Sequence, residues 1–170
     1  TNQLDELPIR MRALMYNPQP PAGALSGDGV EYIQLENRGS VTVTFDLLII
    51  NSWEGSVGYH AGPDIWELNA SNPSDCCPVQ NLEHTTFANC TCQYQAYPDR
   101  YPHAYNTGLS QADEIDTLGY AHDSVYTLSY TFFHHDDDLR LTFSGSPELQ
   151  GFLDEAWGID NIVVSVDAES

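Results

Sequence analysis

The stretch VTVTFDLLI, residues 41–49, alternates apolar and polar side chains along most of its length. Its apolar residues share one face of an extended chain: Val41, Val43, Phe45, Leu47 and Ile49. This period of two predicts a long β-strand with one face in a core and the other towards solvent.

The same alternation recurs along the chain, and no segment keeps a helical period over three turns. Further strands are predicted at residues 9–16, 30–36, 64–68, 82–87, 126–132, 139–143 and 162–166. The polar run from His134 to Asp138 predicts a hairpin between the two strands that it joins. Eight short strands with polar turns predict an all-β fold, a two-layer antiparallel β-sandwich of jelly-roll type.

Four cysteines, Cys76, Cys77, Cys90 and Cys92, lie within a single short segment. Their CC and CxC spacing lacks the paired CxxC of structural zinc sites, so disulfides that staple long loops are the better prediction. Adjacent cysteines rarely bond each other, which leaves two pairings open: Cys76–Cys90 with Cys77–Cys92, or the crossed alternative.

Two glycosylation sequons lie in the same region as the cysteines, Asn69-Ala70-Ser71 and Asn89-Cys90-Thr91. The chain starts at Thr1 without an initiator Met or an apolar signal segment. Together these features predict a processed, secreted protein at the cell surface or outside the cell, with N-linked glycans on Asn69 and Asn89.

The charge is strongly acidic, with 25 Asp and Glu against five basic residues and a formal net charge of −20. Such a surface repels nucleic acid and anionic lipid, and no apolar run is long enough to enter a membrane. The acidity either keeps the protein soluble or binds Ca²⁺. We expect a structural Ca²⁺ to be bound by some of four residues, Glu54, Asp64, Asp154 and Asp160; the alternative is that they cap turns and bond loop amides.

No sequence motif of catalysis is present: GxSxG, HExxH, the P-loop and GxGxxG are all missing. We therefore predict that the protein is not an enzyme.

Residues 1–29 are predicted to form an N-terminal strand and a Pro- and Gly-rich hinge, and residues 30–170 the β-sandwich domain. The strand can stay in its own sheet or pair with another copy of the chain. The predicted assembly residues are Ile9, Arg10, Met11, Arg12, Ala13 and Met15.

Several stretches resemble a largely uncharacterised family of secreted β-sandwich modules. They are INSWEG (50–55), GPDIW (62–66), HTTFAN (84–89), QAYPDRYP (95–102), DTLGY (116–120), DSVYTLSYTF (123–132) and LQGFLDEAWGIDNIVV (149–164). The ending also resembles jelly-roll carbohydrate-binding modules, in which an Asp before the last strand ligates Ca²⁺; this resemblance implies that role for Asp160. Residues 12–39 resemble the opening of lamin-tail-like β-sandwich domains.

The combined expectation is a non-catalytic structural subunit of an extracellular glycosylated assembly, a filament or surface appendage built from copies of the chain. The alternative is a secreted Ca²⁺-dependent, lectin-like module with glycans as partners. Its stacking platform would be aromatic: Trp53, Trp66, Tyr97, Tyr101 and Tyr105.

Overall fold

A computed structural model describes residues 9–11, 14–16, 28–35, 38–56, 63–74, 78–89, 91–110, 122–145, 149 and 155–168. All regular structure in these ranges is β-strand, and none of it is an apolar helix that could cross a membrane. The strands are β1 (Ile9–Met11), β2 (Leu14–Tyr16), β3 (Asp28–Gln34), β4 (Gly39–Asn51), β5 (Ile65–Ser71), β6 (Gln80–Thr86), β7 (Tyr94–Gln95), β8 (His103–Ala104), β9 (Asp123–His134), β10 (Asp138–Gly145) and β11 (Glu155–Ala168).

Two antiparallel sheets contain nearly all of these strands. The first sheet has the order β1-β11-β4-β9, with β2 also on β11, and the second has the order β3-β10-β5-β6. β7 and β8 form a separate two-stranded ribbon. The prediction of an all-β fold with packed antiparallel sheets is confirmed.

The core lies between the two sheets and follows the alternation of the strands. Val41, Val43, Phe45, Leu47 and Ile49 of β4 are all buried, while the residues between them are half-buried. The rings of Phe45 and Phe143 join the two sheets edge to face, with centroids 5.3 Å apart. Burying side chains of this size contributes about 1.5–3 kcal/mol each, which is why the alternating pattern fixes the sandwich.

The predicted hairpin at His134–Asp138 is wrong. β9 pairs with β4 in the first sheet, and β10 pairs with β3 and β5 in the second, so this connection crosses from one sheet to the other. The crossing is held by main-chain and side-chain bonds: Leu35 N donates to Asp137 O at 2.6 Å, and His134 Nε2 donates to Asp138 O at 2.8 Å.

The N-terminal strands occupy the edge of the first sheet beyond β11. Ile9 is the register partner of Val164, and Tyr16 is the partner of Trp157. This is the alternative in which the segment stays in its own sheet. The side chains of Ile9, Arg10, Met11 and Met15 and the whole of Arg12 and Ala13 lie outside the described residues.

Candidate functional site

A groove of about 710 Å³ lies on the outer face of β5 and β6. It exists because the two strands send alternate side chains inward and outward: Trp66 and Leu68 are in the core, so Glu67 and Asn69 face outward. The lining residues are Ser56, Pro63, Ile65, Glu67, Asn81, His84, Thr85, Thr86, Ala96 and Arg100.

The walls of the groove are fixed by Thr86 at the end of β6. Its hydroxyl accepts a hydrogen bond from the main-chain N–H of Ala96 at 2.9 Å and bonds Ser56 Oγ at 2.7 Å. Its main-chain oxygen accepts from Tyr97 N at 3.3 Å. Thr86 thus ties the segments before β5 and after β7 to the same strand end.

Two hydrogen-bonded cross-strand pairs lie at the floor of the groove, and three of their four residues line it: Glu67, His84 and Asn81. Glu67 is the register partner of His84, and Asn69 is the partner of Asn81. His84 Nδ1 donates to Glu67 Oε1, and Asn81 Nδ2 donates to Asn69 Oδ1 at 2.9 Å. The floor therefore presents carboxylate, imidazole and amide groups within one short run of sheet.

Arg100 brings a positive charge to the groove. A positive φ of 69° and a bond from its N–H to Ala96 O at 2.9 Å hold its backbone. Arg38 is paired with Asp137, and Arg140 donates to Ser71 Oγ, but the Arg100 guanidinium has no acceptor in the described part of the chain. Arg100 is exposed, so its guanidinium donors face solvent at the groove.

Of the predicted Ca²⁺ ligands that the structure describes, two lie together and one lies apart. Glu54 and Asp64 lie together, because Asp64 Oδ2 accepts the main-chain N–H of Glu54. Asp160 lies across from Asp46 in the first sheet, about 17 Å of strand away from the end of β4. Asp154 lies outside the described residues, and within them no three His, Cys, Asp or Glu residues are grouped to hold a metal.

Both described Asp residues accept bonds from main-chain N–H groups, as the alternative prediction has it. Asp64 is buried and accepts from the Glu54 amide, and Asp160 Oδ1 accepts from Asn161 N at 2.7 Å. Asn161 has a positive φ of 52° at the β-bulge of β11, where such a local bond compensates for the break in the ladder.

The two sequons differ sharply in their surroundings. Asn69 is half-buried on the outer face of β5. Asn89 is only 7% exposed; its Nδ2 donates to the carbonyls of Ile49 and Asn51, and its Oδ1 accepts from Ser124 Oγ at 2.6 Å. A glycan on Asn89 Nδ2 would have to replace buried hydrogen bonds and displace packed neighbours. The surroundings of Asn89 in this fold therefore disfavour the predicted glycan there.

Of the four cysteines, Cys92 is exposed in the turn before β7. Cys76, Cys77 and Cys90 lie outside the described residues, so both pairings stay predictions.

The predicted aromatic platform is not formed. Trp53 and Trp66 are fully buried, and Tyr97 packs on Phe87 with ring centroids 5.1 Å apart. Burial also raises the pKa of Tyr97. Tyr105 is half-buried, and of the five residues only Tyr101 is largely exposed, at 72%. The two tryptophans stabilise the core and are not available to stack on a sugar.

The groove residues Glu67, Asn81, His84 and Arg100 were not among the predicted sites. Alternation along β5 does indicate that Glu67 and Asn69 share a face. Asn69 pairs with Asn81 only because the register of β5 and β6 shifts by one residue after the pair Leu68–Glu83. No short sequence motif predicts such a bulge.

Comparison with known proteins finds no matching family model, no matching curated protein and no matching solved structure.

Proposed function

We propose that the protein is a non-catalytic structural subunit of a secreted, glycosylated extracellular assembly, a filament or surface appendage built from copies of this chain. The observation that carries the proposal is the edge position of β1 and β2. They join the fold through pairing with β11, from Ile9 opposite Val164 to Tyr16 opposite Trp157.

Main-chain pairing of this kind does not depend on which copy supplies the strand. Removal of β1 and β2 would leave the N–H and C=O groups along one side of β11 unpaired, and the same segment of a neighbour could restore them in the same register. Residues 17–27, which join this segment to β3, include the Pro-rich stretch PQPPAGALSG at 18–27. A head-to-tail exchange that does not close on itself generates a fibre.

The strand order supports a jelly-roll type for the sandwich. With β1 and β2 counted as one strand and the β7–β8 ribbon set aside, the sheets have the orders 1-8-3-6 and 2-7-4-5. In this numbering, successive strands alternate between the two sheets, except that strands 4 and 5 (β5 and β6) are neighbours in the second sheet. The first strand lies next to the last, as two interlocked Greek keys require. Secretion and disulfide bonds among the cysteines of residues 76–92 are part of the proposal, and the cysteine spacing and the sequons support them.

The exchange is tested with the double variant Ile9→Cys/Val164→Cys, because these positions are register partners and lie within disulfide reach. After oxidation, a non-reducing denaturing gel should show a ladder of covalent multimers. The matched control is Ile9→Cys/Val166→Cys, which moves one thiol about 7 Å along β11 and should not crosslink. A band at monomer mass alone would contradict exchange between copies.

A second test removes residues 1–16. The truncated chain should stay folded, lose assembly, and take up a synthetic peptide of the missing segment. Polymers of the truncated chain by negative-stain microscopy would contradict the proposal.

Saccharide binding is the second candidate function, and the groove with Glu67, His84 and Arg100 is the observation that favours it. A lectin-like module should be monodisperse and be retained on a glycan column. Arg100→Ala should then release it from the column, whereas the exposed Arg38→Ala should not.

A further inference from the structure

Asn69, the asparagine of the first sequon, is half-buried on the outer face of β5. Its Oδ1 accepts from Asn81 Nδ2 at 2.9 Å, while its own Nδ2 bonds no acceptor in the described part of the chain. An N-linked glycan is attached through this nitrogen. The sequon hydroxyl, Ser71 Oγ, accepts from Arg140 Nε at 2.9 Å, so both ends of the sequon are in defined positions.

The groove lies next to Asn69 along the outer face of β5 and β6, although Asn69 itself does not line it. Asn81, the partner of Asn69, lines the groove, and Glu67 lies two residues from Asn69 on the same outer face, about 7 Å away. The β5 residues that line the groove are Glu67 and Ile65, and Ile65 lies about 13 Å along the strand from Asn69. A chain attached at Asn69 therefore starts next to a groove of about 710 Å³, a volume in the range of small-ligand sites.

The lining matches a polyhydroxylated ligand. Glu67 can accept from sugar hydroxyls, and His84 and Arg100 can donate to sugar oxygens. The apolar side chains of Pro63, Ile65 and Ala96 offer surface for the C–H faces of sugar rings. Arg100 has no protein acceptor in the described residues, so its donors are available to a ligand without breaking an existing ion pair.

We propose that this groove holds the first sugars of the chain's own glycan on Asn69. The inference rests on the glycosylation in the proposed function and is independent of strand exchange. Asn89 offers no comparable place, because its side chain is buried and hydrogen-bonded within the fold.

The first experiment measures protection of the glycan. Glycosylated protein is treated with an endoglycosidase in its native and its unfolded state, and release is followed by intact mass. We expect release from the native protein to be slower by about tenfold or more, the factor that two or three hydrogen bonds supply. Arg100→Ala should remove most of this protection, and the matched control Arg38→Ala should keep it.

The second experiment uses thermal melting and does not depend on enzyme access. Ser71→Ala removes the sequon together with the hydroxyl that accepts from Arg140, and Ser71→Thr preserves the sequon and a hydroxyl, so each variant is melted with and without Arg100→Ala and only the non-additive part reports on the glycan. Loss of the glycan should lower Tm in the wild-type groove and have a smaller effect with Arg100→Ala, giving a non-additive double-mutant cycle. Additive effects, or equal release from native and unfolded protein, would overturn the inference.

The outcomes separate the two proposals. Unmodified Asn69 in native material by peptide mass spectrometry would remove the glycan from the proposed function and the inference with it. An occupied but unprotected glycan would overturn the inference alone. Tight binding of the released glycan to Ser71→Ala protein, without protection in the glycosylated form, would assign the groove to lectin-like binding of free saccharides and would also overturn it. The covalent ladder test reports on strand exchange in every case.

Discussion

At the scale of single residues, Thr85 and Thr86 stand side by side on β6 in opposite hydrogen-bonding situations. Both are buried. Thr85 Oγ1 has no hydrogen-bond partner in the described part of the molecule, whereas Thr86 Oγ1 bonds both Ala96 N and Ser56 Oγ. The threonine hydroxyl therefore destabilises the fold at position 85, where it is buried without a bond, and stabilises it at position 86.

Thr85→Val should raise the free energy of unfolding by about 1 kcal/mol, because a methyl group replaces a buried hydroxyl that makes no bond. Thr86→Val should lower it by about 1–3 kcal/mol, because it leaves the Ala96 N–H without its acceptor. Urea denaturation of the two variants measures both changes. Destabilisation of similar size in both would contradict the assignment of the unbonded hydroxyl.

The burial of a residue could be predicted from sequence only where the neighbouring residues in the chain determine it. The pattern VTVTFDLLI is enough to bury Phe45 and Leu47, because alternation and burial are both local properties of an extended strand. Two sequons look alike as motifs, yet Asn89 is bonded to Ile49, 40 residues away, and Asn69 faces outward. That difference arises from tertiary packing, which a three-residue motif does not contain.

At the scale of elements, strand positions could be predicted and strand partners could not. Alternation located β4, β5, β6, β9 and β10 to within a few residues of their observed bounds. The connection at His134–Asp138 fits both a hairpin and a crossing, and it makes a crossing because Leu139 and Phe143 fill the inner face of the second sheet. Long-range packing therefore decided which strands pair.

The turn after β4 depends on Gly55, which the sequence analysis did not single out. Its φ is +71°, and a Cβ there would overlap the main-chain oxygen of Tyr94, to which Ser56 N donates at 2.8 Å. Gly55→Ala should lower the free energy of unfolding by at least about 2 kcal/mol, since strained backbone and a steric clash with main chain add. Ser56→Ala, which loses only the hydroxyl contact with Thr86, should cost less than about 1.5 kcal/mol. Equal losses in the two variants would mean that this turn does not require glycine.

β9 carries two tyrosines that make the fold sensitive to alkali. Burial is the main cause that raises the pKa of both Tyr126 and Tyr130. An unfolded tyrosine releases its proton near pH 10, so above that pH the unfolded state binds fewer protons than the folded state. The stability from these neutral side chains is present below pH 10 and falls as the pH rises towards their folded pKa values.

We expect the free energy of unfolding to fall steeply above pH 10, with a slope of up to about 1.4 kcal/mol per pH unit for each tyrosine. Tyr130→Phe, which gives up the bond from Tyr130 Oη to Glu83 Oε2, should be less stable at neutral pH but should show a shallower alkaline slope. Tyr101→Phe at an exposed position is the matched control and should keep the wild-type slope. An unchanged slope in Tyr130→Phe would contradict this account.

At the scale of the whole molecule, a charge of −20 acts on a sandwich whose carboxylates have few cationic partners. Among the described residues, Arg38 pairs with Asp137, and two carboxylates bond histidine rings, His84–Glu67 and His103–Asp99. Arg38 and Asp137 are exposed, so their pairing offsets little of the self-repulsion. Solution ions must therefore contribute to the stability of the folded state.

Raising NaCl from about 0.01 to about 0.15 M shortens the Debye length from about 30 to about 8 Å and should raise Tm by about 3–6 °C. The calcium prediction requires more than screening: at the same ionic strength, CaCl₂ should raise Tm further than NaCl, because a bound dication offsets clustered carboxylates directly. Glu54→Gln and Asp160→Asn then show which predicted ligand takes part, since the residue that binds Ca²⁺ should lose the additional increase and keep the increase due to NaCl. Equal Tm in the two salts would contradict calcium binding and would leave Asp64 and Asp160 with the backbone-capping bonds that they already make.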